Sequence, residues 1–230
     1  MSALVEIRDM CKVYNPGENE VRALDHVDLT IREKEFVAII GQSGSGKSTL
    51  MNMLGCLDVP TSGTYMLHDK DVSNLSDNEL SDIRNKEIGF IFQGFNLIAN
   101  LTALENVELP LIYRGVSRRE RMRLSETALE KVGLAKRKTH KPSEMSGGQQ
   151  QRVAIGRALM TRLSLVLADE PTGNLDSQNS SEVLALLKDT ARQYEQTVIM
   201  ITHNPAIAHT ADRVFQVSDG ILTDLGGCRE

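Results

Sequence analysis

The sequence predicts an α/β fold built on a mainly parallel sheet, and three observations support this prediction. Short apolar runs that end in polar turns are typical of strands buried on both faces. In the last third of the chain these runs alternate with a helical pattern, and strand–helix–strand alternation favours parallel pairing. The 230 residues, 25% charged and 40% hydrophobic, suffice for one large domain or a core with a smaller appendage.

The first third of the chain has mainly strand patterns. Apolar and polar residues alternate along Val27–Ile31, which predicts a half-buried strand. Phe36–Ile40 is apolar throughout and is followed by a glycine, so it predicts a fully buried strand. Gly63–Val72 predicts an edge strand, and the short aromatic run Ile88–Phe92 predicts another buried strand.

The middle of the chain, from about Leu97 to Met160, has helical signals instead. Thr102–Glu105 and Ser117–Glu120 each have the spacing of a capping box, which opens a helix. Gly133 follows the second helical pattern as a C-terminal cap. We therefore predict a helical insert. The apolar residues at helical spacing in its second helix are Met122, Ala128, Leu129 and Val132.

Basic residues are frequent along Arg118–Lys141 in this insert. A charged helix face is most often a solvated surface, and this is the favoured interpretation. Contact with a partner or with anionic lipid headgroups is the alternative.

The last third of the chain alternates strand and helix. Leu165–Ala168 and Val198–Ile201 predict buried strands, and the apolar spacing along Val183–Tyr194 predicts an amphipathic helix between them. The segment Arg213–Leu225 carries Asp219-Gly220 between two apolar stretches. Because Asp-Gly suits a tight two-residue turn, this segment predicts a closing hairpin.

Composition and charge argue against several classes of protein. The longest apolar runs have five residues, whereas a membrane-spanning helix needs about 20. Charged residues interrupt the N-terminal segment, so we expect no signal peptide. A net charge of −5 argues against a nucleic-acid partner. Cys11, Cys56 and Cys228 form no Cys-x-x-Cys pair, so we expect reduced thiols and neither a disulfide framework nor a zinc site.

A phosphate-binding P-loop pattern lies at Gly41–Ser48, with the sequence Gly-Gln-Ser-Gly-Ser-Gly-Lys-Ser. A predicted strand precedes it, and Thr49–Leu57 predicts the helix that must follow. Its glycines let successive backbone amides point at phosphate oxygens, and the helix N-terminus adds a positive dipole end. Lys47 supplies a cation for the β- and γ-phosphates, and Ser48 a hydroxyl for Mg²⁺. The predicted nucleotide-binding residues here are Gly41, Gln42, Ser43, Gly44, Ser45, Gly46, Lys47, Ser48 and Thr49.

Two carboxylates, Asp169 and Glu170, end the buried strand Leu165–Ala168. Asp169 stands where a carboxylate holds the Mg²⁺ shell of P-loop enzymes. The side chain of Glu170 points differently and can polarise an attacking water. An acidic surface pair is the alternative, but beside a P-loop the two carboxylates favour a nucleotide hydrolase.

Three further elements reveal a family resemblance: Met145–Gln149, with the sequence Met-Ser-Gly-Gly-Gln, then Asp176 and His203. Together with the P-loop and Asp169-Glu170, the sequence resembles the nucleotide-binding subunit of ATP-binding-cassette (ABC) transporters. The resemblance extends from Tyr14 to the closing hairpin. The family signature usually begins with Leu, and the Met in its place keeps an apolar residue of similar volume.

The resemblance implies a single ABC ATPase domain over residues 1–230. This domain would have a P-loop NTPase core of α/β class, with a mainly parallel sheet and an N-terminal antiparallel β part. The core would comprise residues 1–96 and 161–230, and a helical subdomain would be inserted at about 97–160.

The resemblance also implies roles for single residues. Tyr14 would stack on adenine, although a core tyrosine is the alternative. Gln93, directly after Ile88–Phe92, would reach the Mg²⁺ and the attacking water and sense the partner. His203 would contact the γ-phosphate and Glu170. The catalytic residues would therefore be Lys47, Glu170 and His203. The residues that hold the metal would be Ser48, Gln93 and Asp169.

A second copy of the chain is implied as a partner. Ser146, Gly147, Gly148 and Gln149 would cap the γ-phosphate of an ATP bound by the other copy. Two chains would then close head to tail around two ATP molecules and their Mg²⁺, with Asp176 at the seam.

Three segments, Gly55–Gly63, Leu101–Pro110 and Pro171–Asp176, resemble the macrolide-export and lipoprotein-release branch of the family. Members of this branch work with a separate integral membrane permease. We therefore expect a cytoplasmic subunit that is peripheral on the inner face of the cell membrane. It would power export or extraction of a hydrophobic molecule, peptide or lipoprotein. Gly156 departs from this branch, which usually has Ala there. A glycine in a helix is less favourable than an alanine by ~1 kcal/mol of helix propensity.

Two other functions remain as alternatives. A soluble ABC ATPase could have a non-transport role, such as cell-division signalling, or act on DNA or ribosomes. Relatives of the last two kinds carry long coiled-coil inserts or two fused cassettes, and this chain has neither. A non-hydrolysing regulatory subunit is disfavoured, because Gln93, Glu170 and His203 are all present.

Overall fold

The computed structural model describes residues 2–17, 19–159 and 163–227. The chain forms two compact units, a first unit of Met1–Arg84 with Thr197–Glu230 and a second unit of Asn85–Gln196. The predicted division into a core and a helical subdomain at about 97–160 stays a prediction.

The described residues form ten strands and seven α-helices. The strands are β1 (Ala3–Tyr14), β2 (Val21–Arg32), β3 (Phe36–Ile40), β4 (Ser62–Leu67), β5 (Lys70–Asp71), β6 (Ile88–Phe92), β7 (Leu165–Asp169), β8 (Thr197–Ile201), β9 (Arg213–Ser218) and β10 (Ile221–Gly226). The α-helices are α1 (Lys47–Leu54), α2 (Asp77–Glu87), α3 (Ala103–Tyr113), α4 (Arg118–Lys131), α5 (Gly147–Leu159), α6 (Ser177–Gln193) and α7 (Pro205–Ala208). Short 3₁₀ turns lie at Ala135–Arg137 and Pro142–Glu144.

The N-terminal sheet of the first unit is antiparallel, with the strand order β2-β1-β4-β5. The predicted antiparallel β part is therefore confirmed. The prediction of one edge strand at Gly63–Val72 is wrong, because the segment folds back on itself as β4 and β5. His68 and Asp69 turn the chain with φ of 51° and 60°. β5 is the edge strand, whereas β4 pairs with β1 as well.

Parallel pairing dominates elsewhere. In the first unit β3 pairs in parallel with β8 and β9, and in the second unit β6 pairs in parallel with β7. The predicted closing hairpin forms between β9 and β10. Its turn residues Asp219 and Gly220 have φ of 49° and 79°, as a type I′ turn requires. The predicted α/β class with a mainly parallel sheet is confirmed.

The two predicted capping boxes of the second unit have different outcomes. Before α3, Thr102 and Glu105 exchange both capping hydrogen bonds, as predicted. Before α4, Ser117 makes no side-chain capping bond, so that capping box does not form. The carboxylate of Glu120 instead accepts a hydrogen bond from Arg123 at 2.6 Å, one turn along the helix.

Helix α4 packs through its C-terminal half. Ala128, Leu129 and Val132 are buried, as their spacing predicts. Met122, at the same helical spacing, is instead 38% exposed. It lies on the same helix face but one turn before Ser125, the first buried residue of α4. Gly133 follows the helix with φ of 75°, which confirms its role as a cap.

Acidic partners accompany the basic residues of Arg118–Lys141. Arg123 pairs with Glu120 at 2.6 Å, and Lys138 pairs with Glu126 at 2.7 Å. These two pairs neutralise part of the basic stretch within the unit, as is common on a solvated surface.

Of the cysteines, Cys11 and Cys56 are free and buried, and Cys228 lies outside the described residues. Within residues 2–17, 19–159 and 163–227, no helix combines the length and the apolar character needed to cross a bilayer.

Replacing Gly156 by Ala is expected to stabilise the protein. A methyl group at this position of α5 would lie 3.7–3.8 Å from the γ-carbons of Val132 and Val107, which is ordinary contact distance. The gain in helix propensity is about 1 kcal/mol, so urea unfolding should show a free energy of unfolding that is higher by about 0.5–1 kcal/mol. As a control, Gly133→Ala should destabilise, because φ there is +75°. A less stable Gly156→Ala protein would contradict the expectation.

Candidate functional site

The P-loop joins β3 to α1 in the first unit. Helix α1 spans Lys47–Leu54. It begins two residues before the predicted start, Thr49, and ends three residues before the predicted end, Leu57. Gly46, just before the helix, has φ of 110°, and a Cβ there would lie 2.4 Å from the carbonyl oxygen of Ala23. A glycine is therefore required at this position, and it lets the helix start inside the motif. The first amides of α1 remain free for an anion.

The ammonium group of Lys47 is held over this loop. It donates to the carbonyl oxygens of Gly41 at 2.8 Å and Gln42 at 2.5 Å. An ammonium has three N–H groups, so one more can be offered to a ligand. The loop therefore presents a positioned cation beside its backbone amides, which suits a phosphate chain.

A cavity of about 540 Å³ adjoins the P-loop. This volume is within the usual range for pockets that take small molecules and cofactors. The structure brings Tyr14 into the same cavity wall as the predicted phosphate-binding residues. The complete lining consists of Tyr14, Val21, Arg22, Ala23, Ser43, Gly44, Ser45, Gly46, Lys47, Ser48, Thr49, Asp219 and Gly220.

Tyr14 is anchored by two residues that sequence reasoning missed. Its hydroxyl donates to Asp58 Oδ2 at 3.1 Å, and Lys12 Nζ lies 5.0 Å from the ring centroid. Lys12 also pairs with Asp58 Oδ1 at 2.7 Å. Burial, and then the bond to Asp58, raise the pKa of the Tyr14 phenol, so it stays neutral. The ring is half-buried at the cavity wall, which argues against the alternative of a core tyrosine.

The closing hairpin also contributes to this cavity. Gly220 N donates to the carbonyl oxygen of Ser45 at 2.9 Å, and Asp25 N donates to the carbonyl oxygen of Gly220 at 2.9 Å. Sequence patterns predict the Asp219-Gly220 turn but give no sign that it packs on the P-loop, because the contact joins residues far apart in the chain.

In the second unit, Asp169 is the last residue of β7 and Glu170 follows it. Glu170 has φ of 44°, in the left-handed region. The extended backbone of β7 therefore ends at Asp169, between the two carboxylates. A left-handed residue other than glycine costs of order 1 kcal/mol, and such residues concentrate at functional sites.

Gln93 follows β6 and is paired with Asn174. Gln93 Nε2 donates to Asn174 Oδ1 at 3.1 Å, and Asn174 Nδ2 donates to the Gln93 carbonyl oxygen at 3.0 Å. A Cβ on Gly173 would lie 2.7 Å from Gln93 Nε2, so a larger residue there would displace the amide. The loop after β6 is thereby tied to the loop after Glu170.

Arg157 of α5 supports the same loop. It donates to the carbonyl oxygens of Asn96 at 2.6 Å and Phe95 at 3.1 Å. Both of these residues have positive φ, of 47° and 62°. No sequence signal identified Arg157 or Asn174, since their bonds go to backbone or amide groups distant in the sequence.

The predicted signature begins α5. Ser146 Oγ accepts from Gln149 N at 3.3 Å, and Gln149 Oε1 accepts from Ser146 N at 3.1 Å. Gly147 instead faces Leu175 and Phe95. A Cβ added to Gly147 would lie 3.3 Å from Leu175 Cδ2 and 3.5 Å from Phe95 Cζ. Three signature residues line a second cavity of about 240 Å³. Its lining is Gly133, Leu134, Ser146, Gly148, Gln149, Arg152, Asn179 and Glu182.

Asp176 shapes this second cavity indirectly. As the N-cap of α6 it accepts from the backbone N of Asn179 at 2.9 Å and from Asn179 Nδ2 at 2.7 Å. These bonds, the backbone one first, hold the pKa of Asp176 below its usual range. Asn179 Oδ1 would lie 2.7 Å from a Cβ on Gly148, so only glycine fits against the positioned amide.

The predicted site residues thus fall into two sets. The first unit carries Tyr14, the P-loop and His203, which is exposed two residues after β8. The second unit carries Gln93, Asp169-Glu170, the signature and Asp176. Assembly of the two sets into one reaction site stays a prediction.

Known sequences resemble the chain over most of its length. A model of the ABC transporter family matches residues 24–173. The chain is 51% identical over 219 residues, 95% of each protein, to an uncharacterised ABC transporter ATP-binding protein, YvrO, of Bacillus subtilis. It is 52% identical, over 96% of its own length, to the macrolide export ATP-binding/permease protein MacB of Chlorobaculum tepidum. The chain spans only 34% of that protein.

Two solved structures are similar in fold. One is the dimeric ATP-binding cassette MJ0796 in a post-hydrolysis state bound to ADP and Pi. The TM-score is 0.86 at 43% identity, over 97% of this chain and 99% of that one. The other is CbiO1 of Clostridium perfringens, part of an ABC transporter complex. It has a TM-score of 0.89 at 26% identity, over 99% of this chain and 90% of that one.

Proposed function

Since this chain belongs to the ABC transporter family and is an ABC-type ATP hydrolase, we propose that it powers a separate integral membrane permease. The transported molecule would be a hydrophobic compound, a peptide or a lipoprotein, moved by export or extraction. The observation that carries this proposal is the 50–52% identity to macrolide export ATP-binding/permease proteins over 96–97% of the chain. The chain would work as a peripheral protein on the inner face of the cell membrane.

The first unit would bind ATP. The half-buried ring of Tyr14 would stack on adenine, while the P-loop amides and the Lys47 ammonium group would bind the phosphates. This orientation is supported by the cavity itself, since Tyr14 and the P-loop line the same wall.

Mg²⁺ would be held by Ser48, Gln93 and Asp169. A hydroxyl, an amide and a carboxylate are the oxygen donors that this ion prefers, so the residue types fit. When bound, the ion neutralises charge on the phosphate oxygens during transfer. The Gln93 amide donates to Asn174 through Nε2, so Oε1 is the atom that would serve as the ligand.

Hydrolysis would proceed by in-line attack of water on the γ-phosphate. Glu170 would accept a hydrogen bond, and then the proton, from the attacking water. His203 would contact the γ-phosphate. Lys47 would stabilise the charge that develops on the phosphate oxygens.

A second copy of the chain would close each site. The signature residues Ser146–Gln149 would cap the γ-phosphate of the ATP bound by the partner copy, at the N-terminus of α5. Asp176 would act at this seam by holding Asn179 beside Gly148. The proposal is supported by the similar cassette MJ0796, which is a dimer.

Replacing Tyr14 by Ala is expected to weaken ATP binding while leaving maximal turnover within a few-fold of wild type. Base–aromatic stacking contributes ~1–3 kcal/mol, which corresponds to a Kd for ATP raised about 5- to 150-fold. The ring is remote from the bond that breaks, so kcat is spared. Titration calorimetry and a phosphate-release assay measure the two effects. The Tyr14→Phe control keeps the ring and loses the hydroxyl with its hydrogen bonds, so its Kd should stay close to wild type. An ATP affinity of Tyr14→Ala equal to that of wild type would contradict stacking of Tyr14 on adenine.

The transport role is tested by coexpression with a permease of the macrolide-export type. We expect the chain in the membrane fraction only when that permease is present, and in the supernatant otherwise. An ATPase that never copurifies with the permease would contradict the proposal and favour a non-transport role. Binding to protein-free anionic liposomes would instead assign the membrane contact to Arg118–Lys141.

A further inference from the structure

A group of metal-binding side chains lies where β1 and β2 pair, outside the lining of the nucleotide cavity. The Sγ of Cys11, a carboxylate oxygen of Asp25 and a ring nitrogen of His26 all lie within 4.8 Å of one another. Ligands of a tetrahedral zinc ion are about 3.3–3.6 Å apart, given bond lengths near 2.0–2.3 Å. Side-chain movements of roughly 1 Å would therefore bring these three atoms to ligand spacing.

Irregular backbone places the three side chains on one side of the strand pair. Consecutive strand residues normally point to opposite faces, yet Asp25 and His26 both reach Cys11. His26 has φ of 50°, and Asp9, whose side chain bonds to it, also has φ of 50°. The pairing register of β1 and β2 shifts on both sides of Met10. His26 N donates to Cys11 Sγ at 3.3 Å, which fixes the sulfur beside the imidazole.

The imidazole is already oriented as in many metal sites. His26 Nδ1 bonds to Asp9 Oδ1 at 2.5 Å. Its Nε2 lies 3.8 Å from Asp25 Oδ1. Metal-ligating histidines usually donate their second ring N–H to a carboxylate, which fixes the tautomer and makes the ligand more basic. Asp9 stands in this position.

Charge and exposure suit a cation that enters from solvent. The side chains of His26 and Asp9 are 64% and 73% exposed, whereas Cys11 is buried at the bottom of the group. Arg22 Nη1 pairs with Asp25 at 3.0 Å and is the nearby competing cation. A carboxylate has two oxygens, so Asp25 can bind an ion and Arg22 together.

We propose that Cys11, Asp25 and His26 bind a borderline-soft divalent ion of the zinc type, with Asp9 positioning His26 and water as the fourth ligand. Thiolate and imidazole favour this class over Mg²⁺ or Ca²⁺. On binding, the Cys11 thiol releases its proton to solvent and the sulfur binds as thiolate. Because the ligands come from two strands and include one cysteine, no Cys-x-x-Cys pattern indicates the site. The expectation of no zinc site rested on the number and spacing of the cysteines.

Cobalt provides the direct test. The full-length protein, stripped of metal and free of nucleotide, is titrated with Co²⁺ under reducing, anaerobic conditions. We expect a thiolate-to-cobalt charge-transfer band that saturates at one equivalent, and zinc should displace the cobalt. Excess Mg²⁺ should not displace the cobalt. Zinc affinity then follows from competition with a chromogenic chelator, and zinc should raise the Tm, because an ion that binds the folded state stabilises it.

Variants assign the ligands. Cys11→Ser should abolish the band, and His26→Gln should lower zinc affinity at least 10-fold while replacing only an exposed side chain. Asp9→Asn should weaken binding about 10- to 100-fold, as loss of an orienting partner does. Cys56→Ser and Cys228→Ser are the matched controls and should bind as wild type. Burial raises the pKa of Cys56 to about 11, so it is a poor source of thiolate.

Three outcomes would overturn the site: no saturable band, a band that persists in Cys11→Ser, or zinc affinity unchanged in both His26→Gln and Asp25→Asn. Thermal unfolding without metal shows whether Cys11→Ser is folded. If it is not folded, the zinc affinities of His26→Gln and Asp25→Asn alone decide whether the site exists.

Discussion

Glu170→Gln is expected to bind ATP as tightly as wild type and to hydrolyse it about 10²- to 10⁴-fold more slowly. Glutamine has the size and hydrogen-bonding shape of glutamate but accepts no proton from the attacking water. The Cβ at this left-handed position is unchanged, so backbone strain is the same in both proteins. Phosphate release and ATP titration measure the two effects. Matching unfolding curves would show that the loss is chemical.

The same variant should trap the closed dimer. If each ATP lies between one P-loop and the partner copy's signature, an ATP that cannot be hydrolysed holds the two chains together. Removing the charge of Glu170 beside the γ-phosphate favours closure further. Size-exclusion chromatography should show a shift from monomer to dimer with ATP and not with ADP.

Ser146→Arg in the Glu170→Gln background is the control for this dimer. Ser146 lines the signature cavity, so an arginine places bulk at the proposed interface. It also removes a helix cap, worth about 1 kcal/mol, so its folding must be verified by Tm. A Glu170→Gln protein that binds ATP tightly and stays monomeric would contradict closure by the isolated chain. Repeating the measurement with the permease would show whether closure needs it.

Lys47→Ala is expected to abolish measurable hydrolysis and to weaken ATP binding by about 10- to 150-fold. Lys47 is the only lysine or arginine of the P-loop segment Gly41–Thr49. A hydrogen bond to a charged group is worth about 1.5–3 kcal/mol, and Lys47 would lose the one that its third N–H offers to phosphate. Lys70→Ala, on the exposed edge strand, is the charge-matched control and should behave as wild type. Unchanged turnover in Lys47→Ala would remove the P-loop assignment.

Local patterns predicted the parts of this protein that local physics determines. The P-loop, the apolar strand Phe36–Ile40 and the Asp219-Gly220 turn are each specified by a few adjacent residues, and all three are present as predicted. Ser117–Glu120 shows the limit of such patterns. Its spacing is right for a capping box, but Glu120 has a stronger partner in Arg123.

Contacts between distant segments could not be predicted. Asp58 supports Tyr14 from the loop after α1, and Asn174 and Arg157 support the loop after β6. None of these residues belongs to a motif with a fixed spacing to its partner. The candidate site residues were therefore predicted from local motifs and from the family resemblance, whereas the residues that orient them required the folded chain.

The contact between Gly220 and the P-loop determines when, during protein synthesis, the nucleotide pocket can form. One wall of the pocket, Asp219-Gly220, leaves the ribosome long after Ser45, whose carbonyl it binds. At roughly 5–20 residues per second, the interval is on the order of 10–30 s. A growing chain therefore carries its P-loop without this wall until residue 220 has been made. Binding of ATP can stabilise the fold fully only after that point, so the nascent β-rich segment must rely on its own packing or on chaperones until then.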